Sequence, residues 1–285
     1  MEFRTGQSQD RYDGLVAIAH DVMVGLDFDG TLAPIVEDPA EAVIHPDGPR
    51  VLVDLAAQVR VVVVITGRPA RQVVELAGLE AVADGLAPGA RLVVMGQYGN
   101  ERWDSGSREF TDAEPPRGLQ AFRDELPRLL VAERAQDAFV EEKGLAVAVH
   151  TRRLPDAEEA FLRLEEALAD AAERHGLLLE PGRKVLEVRA PGMHKGLAVH
   201  AALQEHHAGG VLFAGDDLGD LEAFEAARGL RGQGLPTLLV CSGSTEGEGH
   251  EVLAEVADLV VPGPEGVLAL LRGFAADAGS PGHAV

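Results

Sequence analysis

The sequence has a single cysteine, Cys241, few aromatic residues (4%) and no long apolar run. One cysteine excludes a disulfide framework and any zinc site built on cysteines. No apolar run reaches the about 20 residues that a membrane span needs, and the first residues lack the apolar segment of a signal peptide. Hydrophobic residues still make up 46%, enough for a core of Val, Leu and Ala. We therefore expect a soluble, cytoplasmic, folded protein.

Positive charge is also scarce. Lys and Arg number 25 against 47 Asp and Glu, which gives a formal net charge of −22. A protein that neutralises nucleic-acid phosphates needs a basic face, and an anionic membrane repels an acidic protein for the same reason. We expect neither a nucleic-acid partner nor a membrane partner. A small phosphorylated substrate is not excluded, because screening makes only the local charge matter.

Strand-like and helix-like segments alternate at both ends of the chain. Apolar runs rich in Val at 22–30, 59–68 and 91–99 favour buried strands, and 49–58 and 69–78 have helical spacing between them. This alternation indicates βαβ units and a parallel sheet. The same pattern returns after residue 193, as helices over 194–207, 221–229 and 264–274 and strands over 211–220, 237–243 and 258–263. We expect the tail, 275–285, to be disordered.

The middle of the chain has a different pattern. Residues 103–118 are rich in Gly, Pro, Ser and charge, which is typical of a linker. The predicted elements that follow are helices over about 117–135 and 155–175 and hairpins over 138–153 and 177–189, with turns at Lys143-Gly144 and Pro181-Gly182. This order predicts an antiparallel sheet carrying two helices. The sequence therefore predicts an α/β core, a doubly wound, Rossmann-like parallel sheet, over 1–104 and 191–285, interrupted by an α+β domain over 105–190.

Carboxylates follow two of the predicted core strands. Asp27 and Asp29 lie at the end of the first, where open α/β sheets place ligands, and Gly30 lets the chain turn and exposes amides to an anion. A pair of this kind can divide the roles of nucleophile and general acid. A lone pair of Asp residues also forms ordinary Asx turns, so by itself this motif is a weak signal.

A second acidic cluster, Asp216, Asp217 and Asp220, follows a later strand. Its carboxylates repel one another unless a cation is present, and hard oxygen ligands suit Mg²⁺. Acids at a helix N-terminus interact well with the helix dipole, which accounts for one or two of them.

Two further segments are compatible with an anion site. Thr66, Gly67 and Arg68 end the Val-rich strand and offer a hydroxyl and an amide at a helix start, although a Thr at that position also serves as an ordinary cap. Lys195 opens a predicted helix, where a positive charge is unfavourable with the dipole. That position indicates a negatively charged partner, either a substrate phosphate or the acidic cluster.

In this order at strand ends, the four motifs resemble the haloacid dehalogenase (HAD) superfamily of phosphatases, whose members carry an inserted cap domain between the second and third motifs. Within it, the chain is similar over about 22–274 to the trehalose-6-phosphate phosphatase family. The similar segments are 27–36, 96–101, 141–144, 150–153, 186–189 and 193–196. Two motifs depart from the family pattern: Gly219 and Leu221 stand where Thr and Glu are frequent in one, and Ala190 stands where Pro is frequent in the other.

The resemblance implies hydrolysis of trehalose 6-phosphate, in trehalose biosynthesis, with Mg²⁺ as cofactor. It implies Asp27 as the nucleophile, Asp29 as general acid and base, and Thr66 and Lys195 as catalytic partners. It places the ion on Asp27, Asp216 and the Asp29 carbonyl. The remaining implied roles are outer contacts for Asp217 and Asp220, and substrate binding for Gly30, Gly67, Arg68, Glu141, Lys143, His150, Arg152 and Glu187.

Two alternatives stay open at this point. A related HAD sugar phosphatase would act on sucrose phosphate or a glycosyl-phosphoglycerate. A domain without catalysis would bind or regulate a trehalose-6-phosphate synthase, and it would be expected to lack Asp27 or Asp29, both of which are present. Functional pairing with a trehalose-6-phosphate synthase is compatible with phosphatase activity and with a regulatory role.

Overall fold

The computed structural model describes residues 6–36, 38–112, 114–243 and 250–280. The chain divides into two compact units. The core unit comprises Met1–Thr111 and His194–Val285, and the inserted unit comprises Asp112–Met193. Among the residues that the structure describes, none of the helices combines the length and the apolar composition that a membrane crossing requires.

The core unit is built on one eight-stranded sheet. Its strands are β1 (Val22–Leu26), β2 (Val61–Ile65), β3 (Leu92–Gly96), β4 (Glu101–Asp104), β5 (Phe110–Thr111), β10 (Gly210–Gly215), β11 (Thr237–Gly243) and β12 (Leu259–Pro262). They lie in the order β12-β11-β10-β1-β2-β3-β4-β5. The first six of that order pair in parallel, and β4 and β5 pair antiparallel at one edge. The α/β fold class is confirmed.

Helices cover both faces of this sheet because its parallel strands are apolar on both sides. The helices are α1 (Gly6–Ala17), α2 (Gly48–Ala56), α3 (Ala70–Leu76), α4 (Leu79–Asp84), α7 (Lys195–His206), α8 (Leu221–Gly232), α9 (His250–Val256) and α10 (Gly263–Ala278). Residues of α1 to α4 and α10 share one hydrophobic cluster, and those of α7 to α9 share a second. The arrangement is doubly wound.

Two expectations for the core unit were wrong. The segment taken as a linker from residue 103 contains parts of two strands: Trp103 in β4 is fully buried, pairs with Val94, and donates from Nε1 to Glu80 at 3.1 Å. The residues around Trp103 are polar because β4 and β5 lie at an exposed edge of the sheet. The sequence therefore does not show the apolar pattern of a strand. The tail does not begin at 275, since α10 continues to Ala278; residues 281–285 lie outside the described part.

The inserted unit is an antiparallel sheet with two helices. Its elements are α5 (Leu119–Ala132), β6 (Phe139–Glu142), β7 (Ala146–His150), α6 (Ala157–Arg174), β8 (Leu178–Gly182) and β9 (Val185–Arg189), with strand order β6-β7-β9-β8. Val147, Val149 and Leu186 pack with residues of both helices on one face. Side chains alternate between faces along a strand, so the opposite face carries Glu141 and Glu187.

Of the two turns predicted for this unit, only the one at Lys143-Gly144 lies where the sequence predicts it. Gly144 lies between β6 and β7 with φ of 76°. Pro181 and Gly182, by contrast, belong to β8, and the turn follows at Arg183 and Lys184, where Lys184 has φ of 56°. Because β8 is an edge strand, a proline there leaves no ladder hydrogen bond unmade, so it does not mark the end of the strand.

Candidate active site

The carboxyl ends of three neighbouring core strands meet at one edge of the sheet. Leu26 of β1 pairs with Ala214 of β10 and with Val64 of β2. The residues that follow are therefore adjacent, and the Asp27 amide donates to the Ala214 carbonyl at 2.9 Å. Thr66 follows β2 and is 1% exposed. Predicted site residues far apart in the sequence thus lie together.

Lys195 joins two of the carboxylates. Its Nζ donates to Asp27 Oδ1 at 2.6 Å and to Asp220 Oδ1 at 2.7 Å. It is the first residue of α7, and His194 caps that helix by accepting from the Leu197 amide. Burial alone would lower the pKa of Lys195, but the combined charges of Asp220 and Asp27 reverse this and raise the pKa well above its usual value. Lys195 is therefore a permanent ammonium in the site.

Asp216 completes an acidic cluster that fits a divalent cation. One carboxylate oxygen each from Asp27, Asp216 and Asp220 lies within 4.8 Å of the others. Burial, followed by repulsion from Asp27 and the other carboxylates, raises the pKa of Asp216 to about 10. When all three carboxylates are ionised, they leave two negative charges against the one ammonium, which Mg²⁺ neutralises, and carboxylate oxygens are the ligands it prefers. The residues present therefore fit the ion.

Gly30 forms the turn that lies against this cluster. It has φ of 69°, in the left-handed region that glycine tolerates. A Cβ at this position would lie 2.0 Å from Asp216 Oδ2. The turn is closed by the Gly30 amide, which donates to the Ala33 carbonyl at 2.8 Å. Any side chain at residue 30 would displace the Asp216 carboxylate.

Asp217 and Asp220 have different roles, which the sequence did not distinguish. Asp220 is fully buried; its Oδ2 accepts from the Asp216 amide at 2.9 Å while its Oδ1 binds Lys195. Asp217 caps the following turn by accepting from the Gly219 amide at 2.8 Å. The expected contact with Lys195 is thus made by Asp220, and glycine at 219 serves this cap through its backbone.

Thr66, Gly67 and Arg68 form a loop braced by the segment after β3. The Arg68 amide donates to Thr66 Oγ1 at 3.1 Å. The Tyr98 amide donates to the Thr66 carbonyl, and the Gln97 amide to the Arg68 carbonyl, each at 2.9 Å. These contacts fix the backbone of the loop that is predicted to receive phosphate.

A carboxylate already occupies the start of the next helix. Glu101 accepts from the Ala70 amide, the first of α3, at 2.7 Å. The predicted anion pocket therefore has fewer free amides than a bare helix N-terminus would offer. Glu101 lies in segment 96–101, one of those similar to the family, but the sequence indicates no role for it.

Arg68 holds the side chain of Asp29. Its Nε and Nη2 donate to Asp29 Oδ2 and Oδ1 at 2.6 and 2.8 Å, and its Nη1 donates to the Pro39 carbonyl at 2.7 Å. Asp29 keeps 39% of its side chain exposed, whereas Asp27 keeps 6%. The two carboxylates of the Asp27–Asp29 pair therefore sit in different environments, as a nucleophile and an acid require.

The predicted sugar-binding residues form a group within the inserted unit. Lys143 Nζ donates to Glu187 Oε2 at 2.6 Å, and His150 Nε2 lies 2.9 Å from Glu141 Oε2. Glu187 is 6% exposed, and its Oε1 is buried without a hydrogen-bond partner. The fifth predicted residue, Arg152, lies exposed in the turn after β7.

Arg189 also belongs to this group, although the sequence analysis does not predict it as a site residue. Its Nη2 donates to Glu180 at 3.1 Å, and its Nη1 lies 4.0 Å from Glu187 Oε1. The residue is 4% exposed, on the same face of β9 as Glu187. Its alternation with Glu187 along the strand was the available signal.

The sequence of this chain is similar to those of known proteins. The family model described as Trehalose-phosphatase matches residues 25–84 and 122–255. A probable trehalose-phosphate phosphatase from Sinorhizobium fredii is 33% identical over 214 residues, which are 73% of this chain and 74% of that protein. The chain spans about half the length of relatives from mycobacteria.

Solved structures share the fold. The C-terminal domain of a trehalose-6-phosphate phosphatase from Candida albicans has a TM-score of 0.73 at 21% identity, covering 96% of this chain and 98% of that one. A haloacid dehalogenase-like hydrolase from Bacteroides thetaiotaomicron has a TM-score of 0.61 at 16% identity, covering 88% and 98%.

Proposed function

Because the chain belongs to the trehalose-phosphatase family, we propose that it hydrolyses trehalose 6-phosphate to trehalose and inorganic phosphate through an aspartyl-phosphate on Asp27, with Mg²⁺ as cofactor. The observation that carries the proposal is the buried ammonium of Lys195, which binds Asp27 and Asp220 beside Asp216. That arrangement supplies a carboxylate nucleophile with fixed positive charge at the end of the first core strand.

Asp27 attacks phosphorus, and the bond from phosphorus to the sugar oxygen breaks. A carboxylate and a phosphate dianion repel each other strongly in a site this buried, so the step needs compensating positive charge. Lys195 provides one unit. Asp27, Asp216 and the Asp29 carbonyl would hold Mg²⁺, which when bound supplies further positive charge to the phosphate oxygens.

To act as the acid, Asp29 must release one oxygen from Arg68 and take up a proton from solvent, because a carboxylate that accepts on both oxygens carries none. It gives that proton to the departing sugar oxygen. It then takes a proton from the water that hydrolyses the aspartyl-phosphate, which releases phosphate and restores Asp27. Its greater exposure suits a group that has to exchange protons and reach a leaving group. Thr66 and the amide of Gly67 are proposed to contact the phosphate, with Arg68 beside them. The Gly30 amide is bound to the Ala33 carbonyl, so Gly30 contributes the turn and not the amide contact expected from the sequence.

The inserted unit is proposed to bind the sugar through Glu141, Lys143, His150, Arg152 and Glu187. Sugar hydroxyls need partners that both accept and donate. The buried Oε1 of Glu187 accepts no hydrogen bond in its own unit, where Arg189 Nη1 lies 4.0 Å away, and a sugar hydroxyl would supply one. Buried polar groups of this kind discriminate between sugars, because a substrate lacking the matching hydroxyl leaves them unpaired.

A panel of phosphate esters tests the proposal. Phosphate release is measured with trehalose 6-phosphate, sucrose 6-phosphate, a glucosyl-phosphoglycerate and an aryl phosphate, with Mg²⁺ and with a chelator. We expect the highest kcat/KM for trehalose 6-phosphate and no turnover in the chelator. A higher kcat/KM for another sugar ester would assign the chain to a related sugar phosphatase, and no release from any ester would favour a regulatory domain.

A further inference from the structure

Ser242 makes a hydrogen bond that the catalytic assignments do not use. It lies on β11, is completely buried, and donates from Oγ to the Gly30 carbonyl at 2.6 Å. The two residues are 212 positions apart in the chain. The bond therefore fixes the turn after β1 from a strand that the sequence gives no reason to connect with it.

The hydrogen bond from Ser242 spans the strand that lies between β11 and β1. In the strand order β11-β10-β1, β11 and β1 are not neighbours. Cys241 pairs with Gly215, the last residue of β10, so Ser242 lies level with Asp216. The bond therefore spans the end of β10, which Asp216 follows. One side chain thus connects β11 with the turn after β1.

The turn that Ser242 holds lies directly against the acidic cluster. Gly30 leaves no room for a Cβ against Asp216 Oδ2. The peptide before Gly30 carries the Asp29 carbonyl, the one backbone oxygen proposed to bind the ion. With its amide bound to Ala33 and its carbonyl bound to Ser242, Gly30 has both backbone groups fixed.

We propose that Ser242 is a positioning residue for the Mg²⁺ site, which holds the Asp29–Gly30 backbone at the distance from Asp216 that the ion requires. The inference rests on the proposed function only in that it takes Mg²⁺ as the ion. Ser242 touches neither the ion nor the substrate. Its removal frees the Gly30 carbonyl, which is then buried without a donor, and the turn can move away from Asp216.

The test is direct measurement of Mg²⁺ binding to Ser242→Ala by calorimetry, together with thermal unfolding across Mg²⁺ concentrations. A neutral buried hydrogen bond corresponds to about 3- to 10-fold in an equilibrium constant. We expect Mg²⁺ affinity to fall by about that factor. At saturating Mg²⁺, KM for trehalose 6-phosphate should stay near that of the unchanged protein.

Ser8→Ala is the matched control. Ser8 is 3% exposed and also donates from Oγ to a backbone carbonyl, that of Asp258, at 2.8 Å in the same unit. Both variants should lose similar stability in a chelator, and only Ser242→Ala should lose Mg²⁺ affinity. Ser242→Cys, which keeps the shape with a weaker donor, is measured if the alanine variant does not fold.

Unchanged Mg²⁺ affinity in the Ser242 variants, or an equal loss in Ser8→Ala, would overturn the positioning role and leave the proposed phosphatase intact. An unchanged protein that binds no Mg²⁺ would overturn both the positioning role and the metal dependence of the proposed function.

Discussion

Arg68 binds both carboxylate oxygens of Asp29, through Nε at 2.6 Å and Nη2 at 2.8 Å. Its remaining nitrogen, Nη1, donates to the Pro39 carbonyl. With its guanidinium used in this way, Arg68 orients the acid and base of the reaction. A paired arginine of this geometry cannot be replaced by lysine without losing one of the two bonds.

Arg68→Gln should therefore separate the two chemical steps. An aryl phosphate has a good leaving group, so Asp27 can be phosphorylated without an acid, while hydrolysis of the aspartyl-phosphate still needs an oriented base. We expect a burst of about one equivalent of phenol followed by slow turnover, measured by stopped-flow absorbance. Arg60→Gln, which removes a surface pair with Asp21, should show no burst. A raised KM without a burst would instead make Arg68 a phosphate ligand.

Asp27→Asn should abolish phosphate release while the protein stays folded. The amide is a poor nucleophile, and the substitution removes a negative charge from a cluster that has too many. In a chelator we expect its midpoint of thermal unfolding to match or exceed that of the unchanged protein, because repulsion of Asp216 is relieved. Asp54→Asn, at an exposed pair with Arg50, serves as the control with normal activity. Substantial turnover by folded Asp27→Asn would reject the nucleophile.

Stability in a chelator should fall as pH rises. The pKa of Asp216 is raised to about 10 by burial and by Asp27, so between its unfolded value near 4 and 10 the folded state binds more protons than the unfolded state. The free energy of unfolding then decreases with pH across that window. The raised pKa of Lys195 acts only above its unfolded value of about 10.5 and adds no slope below it.

Mg²⁺ takes the place of the proton, so its stabilising effect should be larger at pH 8.5 than at pH 6. The measurement is thermal unfolding at both pH values, with Mg²⁺ and with a chelator. Burial also raises the pKa values of Asp27 and Asp220, so Asp216→Asn should reduce the slope in the chelator without abolishing it. The same slope in that variant would mean that another group causes it.

Lys143→Ala should reduce kcat/KM for trehalose 6-phosphate by about 10- to 100-fold, since one lost polar partner costs about 1–3 kcal/mol. The loss arises both from the missing ammonium and from Glu187, whose buried charge loses its partner. Turnover of an aryl phosphate should hardly change. Lys184→Ala, at an exposed pair with Glu158, is the matched lysine control. Equal losses on both substrates would show that Lys143 is structural or contacts phosphate.

Asp258→Ala should destabilise the core unit by about 3 kcal/mol, because it leaves charged partners without their buried counterion. Asp258 is 5% exposed, binds Arg11 and Arg231, and accepts from the Leu239 amide at 2.9 Å. Chemical denaturation measures the change. Asp47→Ala, at an exposed pair with Arg272, should cost less than about 1 kcal/mol. Similar losses in both variants would contradict the argument.

The sequence predicts which strand ends form the site. It does not predict which partner each side chain of the site takes. Apolar strands ending in Asp27, Thr66 and Asp216 must bring these residues to one sheet edge, because parallel strands end there together. Which partner each side chain takes depends on rotamers and loop paths, so the Arg68–Asp29 and Ser242–Gly30 contacts could not be foreseen. Trp103 was missed because β4, a four-residue strand beside the edge strand β5, carries too few apolar residues to show a period.

The order of the strands also has a consequence for synthesis of the chain. The central strand β1 pairs on one side with β10, so that Val22 meets Gly210. The inserted unit is continuous, Asp112–Met193, and emerges from the ribosome before β10 does. Until Lys195 emerges, Asp27 has no ammonium beside it, and until β10 emerges, β1 has an open edge on the side away from β2. The inserted unit is therefore the first of the two that can finish folding, and Asp27 acquires its charge balance only after that unit has been made.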